Sequence, residues 1–214
     1  MKTSTPAESE KRVAAEAAAE LAVDGMTVGL GTGSTVAHLL PALTSRELRI
    51  RCVATSPQTE RAARDLGLEV EAFDSLDRLD LAIDGADQVA PDRWLVKGGG
   101  GAHTREKIVA AAADRFIVIA DSSKPVDAIE APIPLELHAF GLASTLRRLG
   151  AVEVRDAPPS PDGGVIADYT GEVDDLEALA AALAADPGVV AHGLFEPGLV
   201  SEVIIGRGSD VERA

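Results

Sequence analysis

Short apolar runs alternate with segments of helical periodicity through the first 125 residues of the chain. The apolar runs predict strands at Met26–Leu30, Ile50–Ala54, Glu69–Phe73, Leu79–Ile83 and Arg115–Ala120. The segments between them predict helices, which cover Glu8–Val23, Val36–Leu43, the stretch from Ser56 to Gly67, and Ala102–Ala113. Because strands and helices alternate, we predict a parallel sheet with right-handed crossover connections.

The pattern changes after Pro125 to strand, helix, strand, strand, helix, strand. The four strands are predicted at Ile133–Leu137, Val152–Arg155, Val165–Tyr169 and from Val189 to about Phe195. Helices are predicted over Ala139–Leu149 and from Asp174 to about Ala185. This order is typical of a small split β-α-β domain. We expect Ser201–Gly206 to return to the main sheet, so residues 1–125 with 201–214 would form one domain and residues 126–200 the other.

Composition limits the kinds of partner that the protein can have. The chain has 214 residues and a formal net charge of −15, which disfavours binding to nucleic acid. It contains neither an apolar run of 18 residues nor a signal peptide, so we expect a cytoplasmic protein without a membrane partner. The single cysteine, Cys52, lies in an apolar strand, where a buried structural thiol is expected.

Four consecutive glycines follow Lys97 and precede the predicted helix that contains Glu106. Glycine weakens helices and strands but lets bare backbone N–H groups approach a ligand. The following helix would add the positive end of its dipole. A flexible surface linker is the alternative, but a linker would not join an apolar strand directly to a helix. Three of the five lysines, Lys97, Lys107 and Lys124, fall in this part of an acidic chain. We therefore predict a small anionic ligand.

A second turn of this kind follows the first predicted strand as Gly31-Thr-Gly-Ser-Thr35. Such a turn between a strand and a helix presents N–H groups and hydroxyls to a phosphate. Both the dinucleotide fingerprint and the P-loop lysine are missing, which argues against a nucleotide. Asp84-Gly-Ala-Asp87, the glycine loop and Lys124 also follow predicted strands. Ligands of parallel sheets bind outside the carboxyl ends of the strands, so these segments are expected to converge there.

The carboxylates in these segments suit acid–base chemistry. Asp84 and Asp87 could simply stabilise a turn, but a pair at the ligand edge can hold different protonation states. No His or Cys stands at metal-ligand spacing from them, and none of the four histidines is interpreted as a metal ligand or a catalytic group. Glu106, one turn after an N–H-rich loop, could remove a C–H proton if Lys97, the loop amides and a protonated Asp stabilised the resulting oxyanion.

Taken together, the chain resembles type A ribose-5-phosphate isomerase over nearly its whole length. The resemblance rests on the segments Gly29–Thr35, Asp84–Asp87, Lys97–Lys107 and Asp121–Lys124, with a late Gly193-Leu-Phe195. It implies a Rossmann-like domain with a smaller ferredoxin-like α+β domain, assembled as a homodimer or homotetramer. It also implies interconversion of D-ribose 5-phosphate and D-ribulose 5-phosphate in the non-oxidative pentose phosphate pathway, without a metal or organic cofactor.

The same resemblance implies roles for individual residues. Glu106 would move the proton between C2 and C1 through an enediolate, and Lys97 would stabilise that intermediate. Asp84 and Asp87 would bind substrate and help ring opening and proton transfer between the oxygens. Asp84, Asp87 and Lys97 would also bind substrate. The other substrate-binding residues would be Thr32, Gly33, Ser34, Thr35, Gly85, Ala86, Gly98, Gly99, Gly100 and Lys124.

Two positions depart from the family pattern, and two other functions stay open. Gln88 stands where the family usually has Glu, and His103 stands where it usually has an apolar residue. An amino-sugar phosphate deaminase would share the broad architecture. A non-catalytic sugar-phosphate sensor would normally add a DNA-binding domain, which this acidic chain does not suggest.

Overall fold

A computed structural model describes residues 5–214 as a mixed α/β protein. In this range the helices are α1 Pro6–Ala19, α2 Ser34–Thr44, α3 Pro57–Asp65, α4 His103–Ala112, α5 Leu142–Leu149 and α6 Leu176–Ala185. The strands are β1 Thr27–Leu30, β2 Arg51–Ala54, β3 Glu69–Val70, β4 Leu81–Gly85, β5 Gln88–Val89, β6 Leu95–Val96, β7 Phe116–Asp121, β8 Ile133–Leu137, β9 Val152–Val154, β10 Val165–Tyr169, β11 Val189–His192, β12 Leu194–Phe195, β13 Glu202–Arg207 and β14 Asp210–Arg213.

The chain divides into two compact units. Of the described residues, the first contains 5–86, Arg105–Pro125 and Gly198–Ala214, and the second contains Asp87–Thr104 and Val126–Pro197. The second unit therefore includes the glycine loop and the two short strands that precede it. The division predicted from the sequence differs in giving residues 87–104 to the first domain and residues 198–200 to the second.

The first unit is built on a seven-stranded sheet with the order β14-β13-β7-β4-β1-β2-β3. Within residues 5–214, six of these strands are parallel and β14 alone pairs antiparallel, with β13. The predicted parallel sheet is therefore confirmed, and β13 returns to it beside β7 as expected. The chain runs outward from β1 to β3 and then crosses back to β4. Such a reversal of strand order places a ligand crevice at the carboxyl ends of the two central strands, β1 and β4.

The core of the first unit is filled mainly by aliphatic side chains, as the low aromatic content requires. Helix α1 contributes small residues such as Ala14 and Ala18, while β1 and β7 contribute Leu30 and Ile117. Cys52 of β2 is fully buried in this core, which confirms the prediction of a buried thiol. Burial raises the pKa of the Cys52 thiol to about 12, so the reactive thiolate is disfavoured.

The second unit contains a four-stranded antiparallel sheet with the order β11-β8-β10-β9. Together with α5 and α6, these strands follow one another along the chain in the predicted order of strand, helix, strand, strand, helix, strand. The first and third of these strands, β8 and β10, lie in the centre of the sheet. A three-stranded antiparallel sheet, β12-β6-β5, lies in the same unit. The sequence did not predict this small sheet.

Helix ends follow their local signals. Ser56 accepts the N–H of Thr59 at the start of α3, and Asp175 accepts the N–H of Ala178 at the start of α6. Gly150 ends α5 in a positive-φ conformation that other residues rarely adopt. No helix in residues 5–214 has the length and apolar character needed to cross a bilayer.

Several predicted elements were wrong in extent. The predicted strand over Val189–Phe195 is two strands, because the backbone at Gly193 leaves the four-stranded sheet and joins the three-stranded one. Of the strand predicted over Glu69–Phe73, only Glu69–Val70 forms a strand, β3, and Phe73 begins a 3₁₀ turn that ends at Ser75. Helix α1 ends at Ala19 instead of Val23. The terminal strand β14 carries no apolar run and was missed.

Candidate functional site

The turn after β1 encloses the carboxylate of Asp84, which is 3% exposed at the end of β4. Asp84 Oδ1 accepts the backbone N–H of Thr32 at 3.1 Å and that of Gly85 at 2.7 Å. A Cβ on Gly31 would lie 1.9 Å from the Asp84 carboxyl carbon, so only glycine fits there. The absence of a side chain at this position thus brings two sequence-predicted segments together.

Helix α2 begins immediately after this turn, and its first amides lack intrahelical acceptors. Gly33, at φ 114° and ψ −177°, precedes the helix, and the first intrahelical bond is donated by Ala37. The N–H groups of Ser34 and Thr35 therefore have no intrahelical acceptor, and they lie at the positive end of the helix dipole. Ser34 is exposed, whereas Thr35 is buried. This end of α2 suits an anion.

The hydroxyl of Thr32 takes part in contacts between the turn and neighbouring elements. Thr32 Oγ1 lies 2.8 Å from Thr55 Oγ1, and the hydroxyl of Thr59 donates to the carbonyl of Gly31 at 2.9 Å. These contacts link the turn to the end of β2 and the start of α3. They fix the shape of the turn, so the groups best placed for a ligand are the amides at the start of α2 and the side chain of Ser34.

Glu106 lies in the first turn of α4 and is 5% exposed. The far end of this helix is fixed by Leu79, whose N–H donates to Ala112 at 2.9 Å near the amino end of β4. A Cβ on Gly29 would lie 2.4 Å from Val109 Cγ1, so α4 packs closely on β1 at this glycine. Glu106 precedes Val109 by three residues and shares its helix face. It is thus displaced towards the carboxyl ends of the strands in its own unit.

Lys124 follows β7, the neighbour of β4 in the sheet. Its N–H donates to the carbonyl of Asp121 at 3.2 Å, and the N–H of Ser123 donates to the Asp121 carboxylate at 2.9 Å. The buried Asp121 side chain therefore shapes the turn that carries this half-buried lysine. The three strand ends that carry Thr32–Thr35, Asp84 and Lys124 are adjacent in the sheet.

The glycine loop of the second unit is a tight turn in which the N–H of Gly101 donates to the carbonyl of Gly98 at 3.0 Å. Gly98 has φ 111°, and a Cβ there would lie 2.6 Å from His103 Nδ1. The N–H of Gly99 donates to Asp87 Oδ2 at 2.8 Å. Gly99, Gly100 and Asp87 are exposed, so this loop presents backbone and a carboxylate together.

Lys97 enters the loop from β6 and is only 3% exposed. Its Nζ lies 5.5 Å from the centre of the Phe195 ring, a cation–π distance that stabilises a buried ammonium. Its N–H donates to the carbonyl of Gly193 at 2.8 Å, and a Cβ on Gly193 would lie 2.1 Å from the carbonyl oxygen of Lys97. The Gly193–Phe195 segment therefore fits against this lysine.

Comparison with known proteins agrees with this arrangement of strands and loops. The family model described as Ribose 5-phosphate isomerase A (phosphoriboisomerase A) matches residues 51–210. The chain belongs to this family. The ribose-5-phosphate isomerase A of Halobacterium salinarum is 45% identical over 219 residues, covering 96% of this chain and 95% of that protein. The enzyme of that name from Caulobacter vibrioides is 44% identical, covering 97% and 98%.

Solved structures of the ribose 5-phosphate isomerase A family share the fold. That of Methanocaldococcus jannaschii matches with a TM-score of 0.90 and 32% identity, covering 95% of this chain and 97% of that one. A D-ribose-5-phosphate isomerase in complex with phospho-erythronic acid matches with a TM-score of 0.91 and 32% identity, covering 97% and 98%. The α/β fold with a Rossmann-like and a smaller ferredoxin-like part is therefore confirmed.

The two departures from the ribose-5-phosphate isomerase pattern have local roles. The Gln88 side chain donates to the carbonyl of Glu130 at 2.8 Å and accepts its N–H at 2.9 Å, a two-point pairing that a carboxylate could not make. His103 is fully buried, with Nδ1 close to the space above Gly98. Here it occupies the interior, as the apolar residue usual in the family would.

Several residues that shape the site are not predicted from the sequence. The motif Gly29–Thr35 includes Gly29 and Gly31 but does not show that each makes room for one named side chain. Arg155, whose side chain contacts the glycine loop, lies outside every motif of the sequence. Its contact joins positions 57 residues apart, and no short motif could reveal it.

Proposed function

We propose that this protein is an aldose–ketose isomerase that interconverts D-ribose 5-phosphate and D-ribulose 5-phosphate, a reaction of the non-oxidative pentose phosphate pathway. The observation that carries this proposal is membership in the ribose 5-phosphate isomerase A family along nearly the entire chain. A structural relative solved with phospho-erythronic acid adds that an anionic, phosphorylated sugar acid binds to this fold.

In the proposed reaction Glu106 removes the proton from C2 of the open-chain aldose, and the electron pair moves onto the C1 oxygen to give an enediolate. The protonated Glu106 then returns this proton to C1 while the C2 hydroxyl passes its proton to the C1 oxygen, so that C1 becomes a CH2OH group and C2 the carbonyl carbon. The burial of Glu106 supports this role, because a carboxylate shielded from water is a stronger base toward carbon. We propose that Lys97 stabilises the negative charge of the enediolate.

The two aspartates are proposed to assist ring opening and proton exchange between the substrate oxygens. Asp84 accepts two backbone N–H groups and keeps a fixed orientation, whereas Asp87 is exposed and accepts one. Substrate binding is proposed for the amides and hydroxyls of the α2 start, the glycine loop and the strand ends, namely Thr32, Gly33, Ser34, Thr35, Gly85, Ala86, Gly98, Gly99, Gly100 and Lys124. The amides at the start of α2 suit the phosphate.

We further propose a homodimer or homotetramer in the cytoplasm that acts without metal or organic cofactor. The acidic composition supports a protein that does not bind nucleic acid. Size-exclusion chromatography with light scattering distinguishes the two oligomers. Activity that survives EDTA supports metal-independent turnover, and activity lost with EDTA and restored by a divalent ion contradicts it.

The direct test is to mix the purified protein with ribose 5-phosphate and EDTA and to follow ribulose 5-phosphate. Product formation at a rate proportional to enzyme concentration is expected. Glucosamine 6-phosphate serves as the control substrate. Ammonia release from that control without isomerisation of the pentose would favour the amino-sugar phosphate deaminase and refute the proposal.

The variant Glu106→Gln removes the proposed base while keeping its size. We expect kcat to fall by roughly 10²–10⁴, the usual contribution of a general acid–base group, while substrate still binds. Glu16→Gln on the exposed surface of α1 is the matched control and should leave kcat unchanged. A Glu106→Gln enzyme with near-normal kcat would remove Glu106 from its proposed role.

A further inference from the structure

Arg155 makes an unusual set of contacts within the second unit. Its Nε and one terminal nitrogen donate to the two oxygens of Asp168 at 2.7 and 2.6 Å. Its other terminal nitrogen, Nη1, donates to the carbonyls of Gly98 at 2.9 Å and Gly99 at 3.1 Å. Four of the five guanidinium donors are therefore used, two on an anion and two on the glycine loop.

The peptide geometry of the loop gives these contacts a consequence. In a trans peptide the carbonyl and the N–H of the next residue point in opposite directions. The Gly98 carbonyl is held by Arg155, and the N–H on the other side of the same peptide, that of Gly99, donates to Asp87 at 2.8 Å. The Gly99 carbonyl is also held by Arg155, which turns the N–H of Gly100 away from the guanidinium.

An ordinary surface ion pair would not have this effect, since exposed pairs contribute little and hold no fixed geometry. The side chains of Arg155 and Asp168 are only 22% and 19% exposed, and their contact is bidentate. Asp168 lies on β10, and the N–H of Arg155, just after β9, donates to Ile166 of β10 at 3.0 Å. A paired β-hairpin therefore fixes both residues. The hydrogen bonds to Asp168, with a contribution from the charge of Asp87, raise the pKa of the Arg155 guanidinium.

The geometry points to Arg155 as a positioning residue of this isomerase. It orients two successive peptides of the glycine loop, so that one N–H fixes the Asp87 carboxylate and the next faces the substrate. The inference rests on the proposed function. Arg155 itself acts through the loop and does not take part in proton transfer.

The kinetic test compares Arg155→Ala with Arg148→Ala in full-length protein. Arg148 is a matched control, because it makes the same bidentate contact to Asp186, at 2.8 and 2.7 Å, without touching the loop. We expect kcat of Arg155→Ala to fall by about 10²-fold, because a small misplacement of catalytic groups can cost this much in rate. The change in KM should be much smaller. Arg148→Ala should retain the kcat of the unmodified protein.

Arg155→Lys keeps the charge but cannot form the planar fork, so its kcat should remain low. This variant also carries the test if Arg155→Ala fails to fold. Full activity of Arg155→Lys would overturn the inference, as would a kcat of Arg155→Ala within about threefold of the unmodified protein. Equal losses in the Arg155 and Arg148 variants would show a general structural role and would also overturn it.

Amide hydrogen exchange of residues 97–102 supplies a readout that does not depend on activity. The Arg155 variants should exchange faster in this segment, because its peptides lose their restraint, while Arg148→Ala should not. Unchanged exchange in the Arg155 variants would overturn the inference. If the unmodified protein failed to isomerise ribose 5-phosphate, the proposed function would be wrong, and this exchange measurement would still decide whether Arg155 holds the loop.

Discussion

Asp84 and Asp87 each accept a backbone N–H from a glycine-containing loop, yet their surroundings differ. Asp84 is buried at the end of a central strand and accepts two N–H groups in a turn closed around it. Asp87 is exposed and accepts one N–H from a loop that Arg155 holds from the other side. The closely packed turn around it thus fixes the Asp84 carboxylate, whereas a chain of hydrogen bonds from Arg155 through the glycine loop fixes that of Asp87.

The strongest test of this difference is to add one methyl group beside each carboxylate. In Gly31→Ala the new Cβ would lie 1.9 Å from the Asp84 carboxyl carbon, so the turn or the carboxylate must move. We expect kcat to fall by about 10²-fold or more. In Gly99→Ala the nearest atom, Asp87 Oδ1, would be 3.0 Å away and on an exposed side chain, so the loss should be less than about tenfold.

Steady-state kinetics and thermal unfolding of both variants measure these effects. Circular dichroism spectra that match the unmodified protein would show that the folds are intact. A larger loss of kcat in Gly99→Ala than in Gly31→Ala would contradict the idea that Asp84 is the more rigidly enclosed carboxylate.

Stability should separate the two aspartates as well. Asp84→Ala leaves the N–H groups of Thr32 and Gly85 without their acceptor in a buried turn, which we expect to cost about 1–3 kcal/mol. Asp87→Ala changes an exposed side chain and should stay within about 0.5 kcal/mol of the unmodified protein. Urea unfolding of the two variants measures the difference, and equal free energies of unfolding would refute it.

The sequence predicted the chemical groups of the site better than the contacts that hold them. The apolar runs of β1, β4 and β7 are continuous and end in Gly, Asp or Ser, so the carboxyl edge of the sheet could be predicted from them. The Asp84–Asp87 and Lys97–Lys107 motifs carry their chemistry within a few residues. Local patterns therefore identified the segments that resemble the isomerase family.

Contacts between distant positions could not be predicted in this way. The residues next to Gly29 in the sequence do not indicate that Val109 packs against it. Those next to Gly193 do not indicate that the carbonyl of Lys97 lies close to it. The stretch from Val189 to Phe195 is interrupted only by His192-Gly193, a signal too weak to show that its halves join different sheets. These features depend on how closely elements approach, which periodicity does not encode.

A smaller effect is expected at Gln88, which follows Asp87 and begins β5. Gln88→Glu replaces the donor that binds the Glu130 carbonyl with a carboxylate oxygen, while the N–H of Glu130 can still be accepted. We expect a loss of about 0.5–1.5 kcal/mol in unfolding free energy. This pairing anchors the backbone beside Asp87. The variant therefore measures how much the pairing at Gln88 contributes to holding the strand that follows Asp87.

Gln88→Ala provides the comparison for this prediction, since it removes both hydrogen bonds without adding a charge. Urea unfolding at neutral pH measures both variants. If Gln88→Glu were as stable as the unmodified protein, the two-point pairing with Glu130 would have no energetic weight, and the anchoring of Asp87 would rest on the glycine loop alone.

The smallest effect concerns a third aspartate, Asp186, which is anchored like the other two but far from them in sequence. Asp186 accepts the N–H of Gly188 at 2.8 Å and a bidentate contact from Arg148. The hydrogen bonds from Arg148, followed by that from Gly188, lower the pKa of Asp186 to about 2 from 3.8. Since the folded protein binds this proton more weakly than the unfolded chain, the contribution to stability is full above pH 3.8 and is lost as the pH falls towards 2.

Asp186→Asn should therefore lower the Tm at pH 7 by about 2 °C, a modest change because Arg148 is exposed to solvent and screened. The Tm difference from the unmodified protein should shrink as the pH falls below 4, and kcat at pH 7 should not change. A Tm difference that persists at pH 2 would show that the carboxylate charge is not its source. A lower kcat would show that anchoring an aspartate in this unit affects turnover even when the glycine loop is untouched, which would weaken the distinction drawn for Asp87.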